Sequence, residues 1–146
     1  MYRKFILFLT LIFTQLISNY AGACSGPRYT GKAAFENAKR VFRAKILQTE
    51  LVFENYEGSD YEIINSKYEL LEVYKGNVSE NGIVKTIPFF PGNCSVALLT
   101  GSEYVIYLGE DDFVYDFNGT WGYLDSEIKK TAEELREIKS YASKDM

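Results

Sequence analysis

Val41-Phe42-Arg43-Ala44-Lys45-Ile46-Leu47-Gln48-Thr49-Glu50-Leu51-Val52-Phe53 is the stretch on which the fold turns. It is rich in β-branched and aromatic residues and partly alternates, which predicts a long first strand. Asn55-Tyr56-Glu57-Gly58-Ser59-Asp60 carries the turn chemistry to end it. A second strand is expected from Tyr61 to Tyr74, with Tyr68, Leu70 and Glu72 alternating against Glu69, Leu71 and Val73, and Lys75-Gly76-Asn77 closing it. Ile83 to Phe90 reads as a third strand between Asn81-Gly82 and Pro91-Gly92. Glu103 to Leu108 is the clearest strand of all, and Phe113 to Phe117 is expected to return as its hairpin partner across Gly109-Glu110-Asp111-Asp112.

Beyond Gly119 and Gly122 the period changes. Ile128, Ala132, Leu135, Ile138 or Lys139, and Ala142 recur at three-to-four spacing, which predicts an amphipathic helix capped by Asp125 or Ser126. A shorter helix is expected over Gly31 to Lys39. Five or six strands and a terminal helix, without internal repeat or linker, predict one mainly β domain: a small closed barrel carrying helices.

The chain opens Met1-Tyr2-Arg3-Lys4, runs through thirteen mostly apolar residues from Phe5 to Ile17, and reaches Ala21-Gly22-Ala23. A basic start, an apolar centre shorter than the roughly 18 residues that span a bilayer, and a small-x-small exit read as a signal peptide over 1–23. The product is then a secreted domain over 24–146 that begins at Cys24. The leader holds two of the sixteen basic residues and none of the twenty acidic ones, so the remainder carries −6. Such a surface repels phosphate backbones and argues against a nucleic-acid partner, and core packing accounts for the many Tyr and Phe better than base stacking does. A monomer is expected, away from the membrane unless Cys24 is lipidated.

The sequence contains no histidine, which excludes Ser-His-Asp and Cys-His catalysis and removes the commonest zinc ligand. Its two cysteines, Cys24 and Cys94, cannot close a four-ligand zinc site by themselves. In an exported protein they read as one disulfide, worth about 4 kcal/mol on the chain-entropy model. Glu110-Asp111-Asp112 lacks the ligand spacing of a calcium loop and reads as a solvated turn. No carboxylate pair is singled out for glycoside hydrolysis, so no enzyme and no cofactor are expected.

In order along the chain, Cys24-Ser25-Gly26-Pro27, Ala34-Phe35-Glu36-Asn37-Ala38-Lys39 running into Val41-Phe42-Arg43-Ala44-Lys45, Tyr68-Glu69-Leu70 through Val73-Tyr74-Lys75-Gly76, Cys94 with Gly101 and Glu103-Tyr104-Val105-Ile106-Tyr107, and Asp116-Phe117 with Trp121 form a familiar series. It resembles the netrin-like domain of the tissue inhibitors of metalloproteinases. The resemblance implies a five-stranded closed barrel of the oligonucleotide/oligosaccharide-binding type with a short N-terminal and a C-terminal helix. The departures are coherent. Gly26 and Tyr115 stand where the family has both halves of a second bridge, Glu36 replaces a helix cysteine, and the family's C-terminal domain has no counterpart.

The resemblance also implies a mechanism: inhibition of a zinc metallopeptidase, with the α-amino nitrogen and carbonyl oxygen of Cys24 chelating the target's catalytic zinc. The zinc belongs to the target, and the chain has no metal of its own. A free α-amine, with pKa about 7.7–8.0, is partly neutral near physiological pH and can displace a zinc-bound water. Ser25 matches the residue that points to the target's specificity pocket. Gly26 and Pro27 continue the contact, and Gly92 and Asn93 are brought beside it by the bridge.

Two other readings of Cys24 stay open. The bridge can be a structural staple of a non-inhibitory netrin-like module. Alternatively, Ala21-Gly22-Ala23-Cys24 can be a bacterial lipoprotein box, giving a periplasmic or lipid-anchored envelope protein; lipidation would consume the thiol and often the amine. Asn77, Asn93 and Asn118 begin glycosylation sequons.

Overall fold

The computed structural model describes residues 28–56, 58–89, 94–122 and 128–144, and for 128–130 the backbone alone. The expected signal peptide, the Asp125 or Ser126 cap and Phe90 lie outside the described residues.

Helix α1 (Gly31–Asn37) precedes β1 (Arg40–Tyr56), β2 (Ser59–Lys75), β3 (Asn81–Thr86) and β4 (Glu103–Leu108). A 3₁₀ turn (Asp116–Asn118), β5 (Trp121–Gly122) and helix α2 (Ile128–Ala142) complete the order. The strands form one antiparallel sheet, β3-β2-β1-β4-β5. At its centre β1 pairs with all of β2, from Tyr56↔Ser59 to Val41↔Lys75, and on its other edge with β4 from Arg40↔Leu108 to Lys45↔Glu103. Asn55 makes the tight turn: its side-chain oxygen accepts the Gly58 N–H at 3.2 Å and its amide donates to Asp60 at 2.8 Å.

Three register shifts interrupt the β1–β2 ladder and leave Leu47 on β1, and Leu71 and Tyr74 on β2, as extra residues. Bulges of this kind coil a strand and reset its alternation. Leu71 and Val73 are therefore exposed while Tyr74 is buried, its hydroxyl donating to Glu72 at 2.9 Å. On one face of the sheet, Phe42, Ala44, Ile46, Tyr68, Val84, Tyr104, Ile106 and Leu108 pack with Leu98 and Val114. On the other face, Val41, Tyr74, Val105 and Tyr107 pack against Ala34, Phe35 and Ala38 and against Ile138 of α2. A strand covered on both faces loses its polar alternation. That is why Tyr104 through Leu108 are all buried.

Helix α1 ends two residues before the expected Lys39, because the Lys39 N–H is taken by the Leu108 carbonyl at 2.9 Å. Its C-terminal carbonyls are satisfied by the Lys75 ammonium, 2.8 Å from Phe35 O and 3.1 Å from Glu36 O. Helix α2 follows its expected periodicity at Leu135, Ile138 and Ala142. Ala132, however, is exposed and Tyr141 joins the buried face, 5.7 Å from the Phe35 ring.

One expectation is corrected and one is met in part. Phe113–Phe117 is not the hairpin partner of β4; that place is taken by Trp121–Gly122, paired with Tyr104 and Val105. The strands form the expected single antiparallel sheet, and among the described residues no continuous ladder joins its two edges. What stands between β3 and the 112–114 segment is one parallel bridge, with the Lys85 N–H donating to Asp112 O and the Val114 N–H to Lys85 O, both at 2.8 Å. The physical reason is the same for both. Between Asp112 and Phe117 the backbone hydrogen bonds are divided among several neighbours, so no continuous ladder forms.

Candidate functional site

All six predicted target-contact residues, Cys24, Ser25, Gly26, Pro27, Gly92 and Asn93, lie outside the described residues. Their immediate neighbours, Arg28 and Cys94, are described, and both are bound by Asp116. The Arg28 guanidinium donates to Asp116 Oδ2 at 2.7 Å, and the Asp116 N–H donates to the Cys94 carbonyl at 3.0 Å. One residue on, the Tyr29 N–H donates to Phe117 O at 2.9 Å. Ser95 forms an isolated antiparallel bridge with Tyr115, and its hydroxyl donates to the Ile87 carbonyl. Segments 28–29 and 94–95 are thus both hydrogen-bonded to the 115–117 segment.

That segment is held from within and below. Phe113, Tyr115 and Phe117 share a side of the extended chain and stack, with centroids 6.0 and 5.0 Å apart and ring planes 18° and 9° from parallel. Val114, pointing the other way, is buried in the core. Gly119 ends the 3₁₀ turn at φ 95°, against α1, where a side chain would collide with Ala34. Burial pushes the Tyr115 hydroxyl pKa up, and the Asp111 charge adds to the shift. Asp116 Oδ1 is buried without a hydrogen-bond partner.

Cys94 is half-buried and is not a free thiol; its expected partner, Cys24, lies outside the described residues. Among the described residues no cluster of three or more acidic, cysteine or histidine side chains is arranged to hold a metal ion. No described helix is long and apolar enough to cross a membrane. In the acidic turn, Glu110 pairs with Lys39 at 3.1 Å and Asp112 with Arg40 at 2.9 Å. Of the sequons, Asn77 is exposed and Asn93 lies outside the described residues. In the third, the buried Thr120 hydroxyl accepts the Tyr107 N–H at 3.1 Å.

Sequence reasoning missed Arg28 and the clamping role of Asp116. The pair is separated by 88 positions, so no local spacing signals it. Compared with known proteins, the chain matches no family model and no curated protein sequence.

Proposed function

We propose that this chain is a secreted inhibitor of zinc metallopeptidases that acts through its mature N-terminus, with Cys24 bridged to Cys94. The α-amine and carbonyl of Cys24 chelate the target's zinc, Ser25 enters the specificity pocket, and Gly26, Pro27, Gly92 and Asn93 form the flanking contact. The single observation that supports this reading most directly is the clamp at Asp116. It binds the residue after Pro27 and the residue after Asn93, as two neighbouring contact segments require. A chelating terminus fixed in advance loses less conformational entropy on binding than a free tail does.

We further infer that the sheet curls into a barrel of the oligonucleotide/oligosaccharide-binding type, as in the netrin-like domain. Support comes from the strand order and from the Lys85–Phe113 bridge, which lies where a parallel closing pair would stand.

The test is chemical. Adding one residue before Cys24, or acetylating its amine, should abolish inhibition across a metallopeptidase panel and leave the thermal transition unchanged. Equal inhibition by the extended protein would refute chelation.

A further inference from the structure

Where α2 packs on the second face of the sheet, a cavity of about 370 Å³ lies between it and the start of α1. Its walls come from 28–31, from the 116–121 segment, from Tyr107 of β4 and from α2. Pockets that hold small ligands span roughly 300–1,000 Å³, so this one takes a compact molecule.

The facing of each group follows from the fold. Val105 and Tyr107 share one face of β4, and Trp121 is the direct partner of Val105, which puts the indole on that face too. On α2, Glu134, Glu137, Ile138 and Tyr141 stand at i, i+3, i+4 and i+7, one side of a helix. Their tips converge on the start of α1. The Tyr141 hydroxyl donates to Glu137 Oε1, and a Cβ on Gly31 would stand 3.7 Å from that hydroxyl and 4.0 Å from that oxygen. After burial and Tyr141, the charges of Glu137 and Glu134 help to push the Tyr107 hydroxyl pKa up, so both carboxylates face the buried Tyr107.

The chemistry left for a ligand is narrow. Two side-chain donors of the wall are spent within it, the Tyr141 hydroxyl on Glu137 and the Trp121 indole N–H on the Tyr107 oxygen. The lining carries three carboxylates and one guanidinium, and that guanidinium, Arg28, is bonded to Asp116 Oδ2 at 2.7 Å. The lysines of the adjoining elements reach elsewhere: Lys32 to Glu36 and Lys139 to Glu72, both at 2.8 Å, and Lys75 to the C-terminal carbonyls of α1. Tyr29, Trp121 and Tyr141 add aromatic rings, whose electron-rich faces attract a cation with its charge spread over methyl groups. A divalent metal ion needs six or more oxygen ligands, which such rings do not supply.

We propose that this cavity binds a small alkylated ammonium ion, its methyl groups against Tyr29, Trp121 and Tyr141 and its charge beside Glu137. Tyr107 closes the inner end, and Glu137, which is exposed, stands at the mouth. The binding does not depend on the N-terminal chelate.

Trp121 is the chain's one tryptophan and lines the cavity, so its fluorescence reports occupancy. The full chain is titrated at constant ionic strength with choline, with its uncharged analogue 3,3-dimethylbutan-1-ol and with ammonium chloride. A saturable change with choline is expected, with the other two binding at least fivefold more weakly. Glu137→Gln, which removes the charge at an exposed position, and Tyr29→Leu, which removes a ring, should each weaken choline binding at least fivefold. Glu133→Gln, on the same helix and outside the lining, should bind as the parent does. The alcohol or ammonium binding as tightly as choline, equal weakening in Glu133→Gln and Glu137→Gln, or no saturable change would each overturn the proposal.

Discussion

Replacing Gly119 by alanine tests how the clamp segment is fixed. Gly119 has φ 95° and ψ 4°, outside the region open to residues with a side chain at low cost. A Cβ there would stand 2.8 Å from Cβ of Ala34 and 3.4 Å from the Tyr29 carbonyl oxygen. Strain of this kind costs about 1–3 kcal/mol. Overpacking a close contact with backbone-anchored neighbours costs about another 1–3 kcal/mol. Gly119→Ala should therefore lose about 2–6 kcal/mol, a large share of the roughly 5–15 kcal/mol that holds a domain folded. The two parts separate in a cycle, because Ala34→Gly removes the collision and leaves the backbone strain. That second change costs about 1 kcal/mol in helix propensity by itself. The double variant should be more stable than additivity allows by about 1–3 kcal/mol. Urea denaturation of the four proteins, followed by the fluorescence of Trp121, the chain's one tryptophan, measures each value. A Gly119→Ala cost below about 1 kcal/mol, or additivity within about 0.5 kcal/mol, would refute the steric account.

Two titrating groups give further expectations. Burial, reinforced by the neighbouring Tyr141, pushes the Tyr107 hydroxyl pKa up to about 12. A raised pKa contributes stability that is complete below the unfolded value near 10 and disappears as pH rises through the folded value. Tyr107→Phe should flatten the alkaline fall in stability between those limits, and an unchanged slope in alkaline urea melts would contradict it. Burial alone would raise the Glu72 pKa, but hydrogen bonds from Lys139 and Tyr74 and the nearby charges of Lys139 and Arg43 outweigh it and hold it below the ordinary value. The stability that Glu72 contributes is present above the ordinary glutamate range and is lost as pH falls through the depressed folded pKa. The melting-temperature difference between parent and Glu72→Gln should therefore shrink in acid, and a difference independent of pH would count against the assignment.

The strands were legible where burial follows a simple period. Glu103–Leu108 has the boundaries its composition predicts, and the β1–β2 hairpin extends only slightly past the predicted ends. Reading failed where tertiary bonds override the local pattern. Phe113-Val114-Tyr115-Asp116-Phe117 has strand composition and true alternation, with Val114 inward and three rings stacked together. Its backbone bonds nevertheless run to Lys85 and Cys94, which are distant in sequence. The bulge at Tyr74 is equally silent, because one extra residue changes the facing of its neighbours without changing their chemistry. Of the candidate site, the proposed contact residues come from a resemblance alone and lie outside the described residues, and the sequence carries no sign of the Arg28–Asp116 pair.

Among the described residues no ladder joins β3 to β5, and this gives these observations a common cause. In a fully closed ladder, the backbone of the residues between Asp112 and Phe117 would be spent on strand pairing. Here one bridge suffices at Lys85, and the Asp116 N–H and Phe117 carbonyl are free to hold Cys94 and Tyr29. The clamp therefore depends on a segment fixed by its ring stack, by Val114 in the core and by Gly119 against α1, and not by a sheet. The Arg28 ion pair is a minor part of that stability. Its guanidinium side is about two-thirds exposed, and exposed pairs contribute at most about 1 kcal/mol. Breaking that pair should displace the N-terminal segment with little loss of folding free energy, whereas a change at Gly119 should disturb fold and segment together. A difference of that kind separates positioning from stability, because the residue that aims the segment is not the residue that holds the domain.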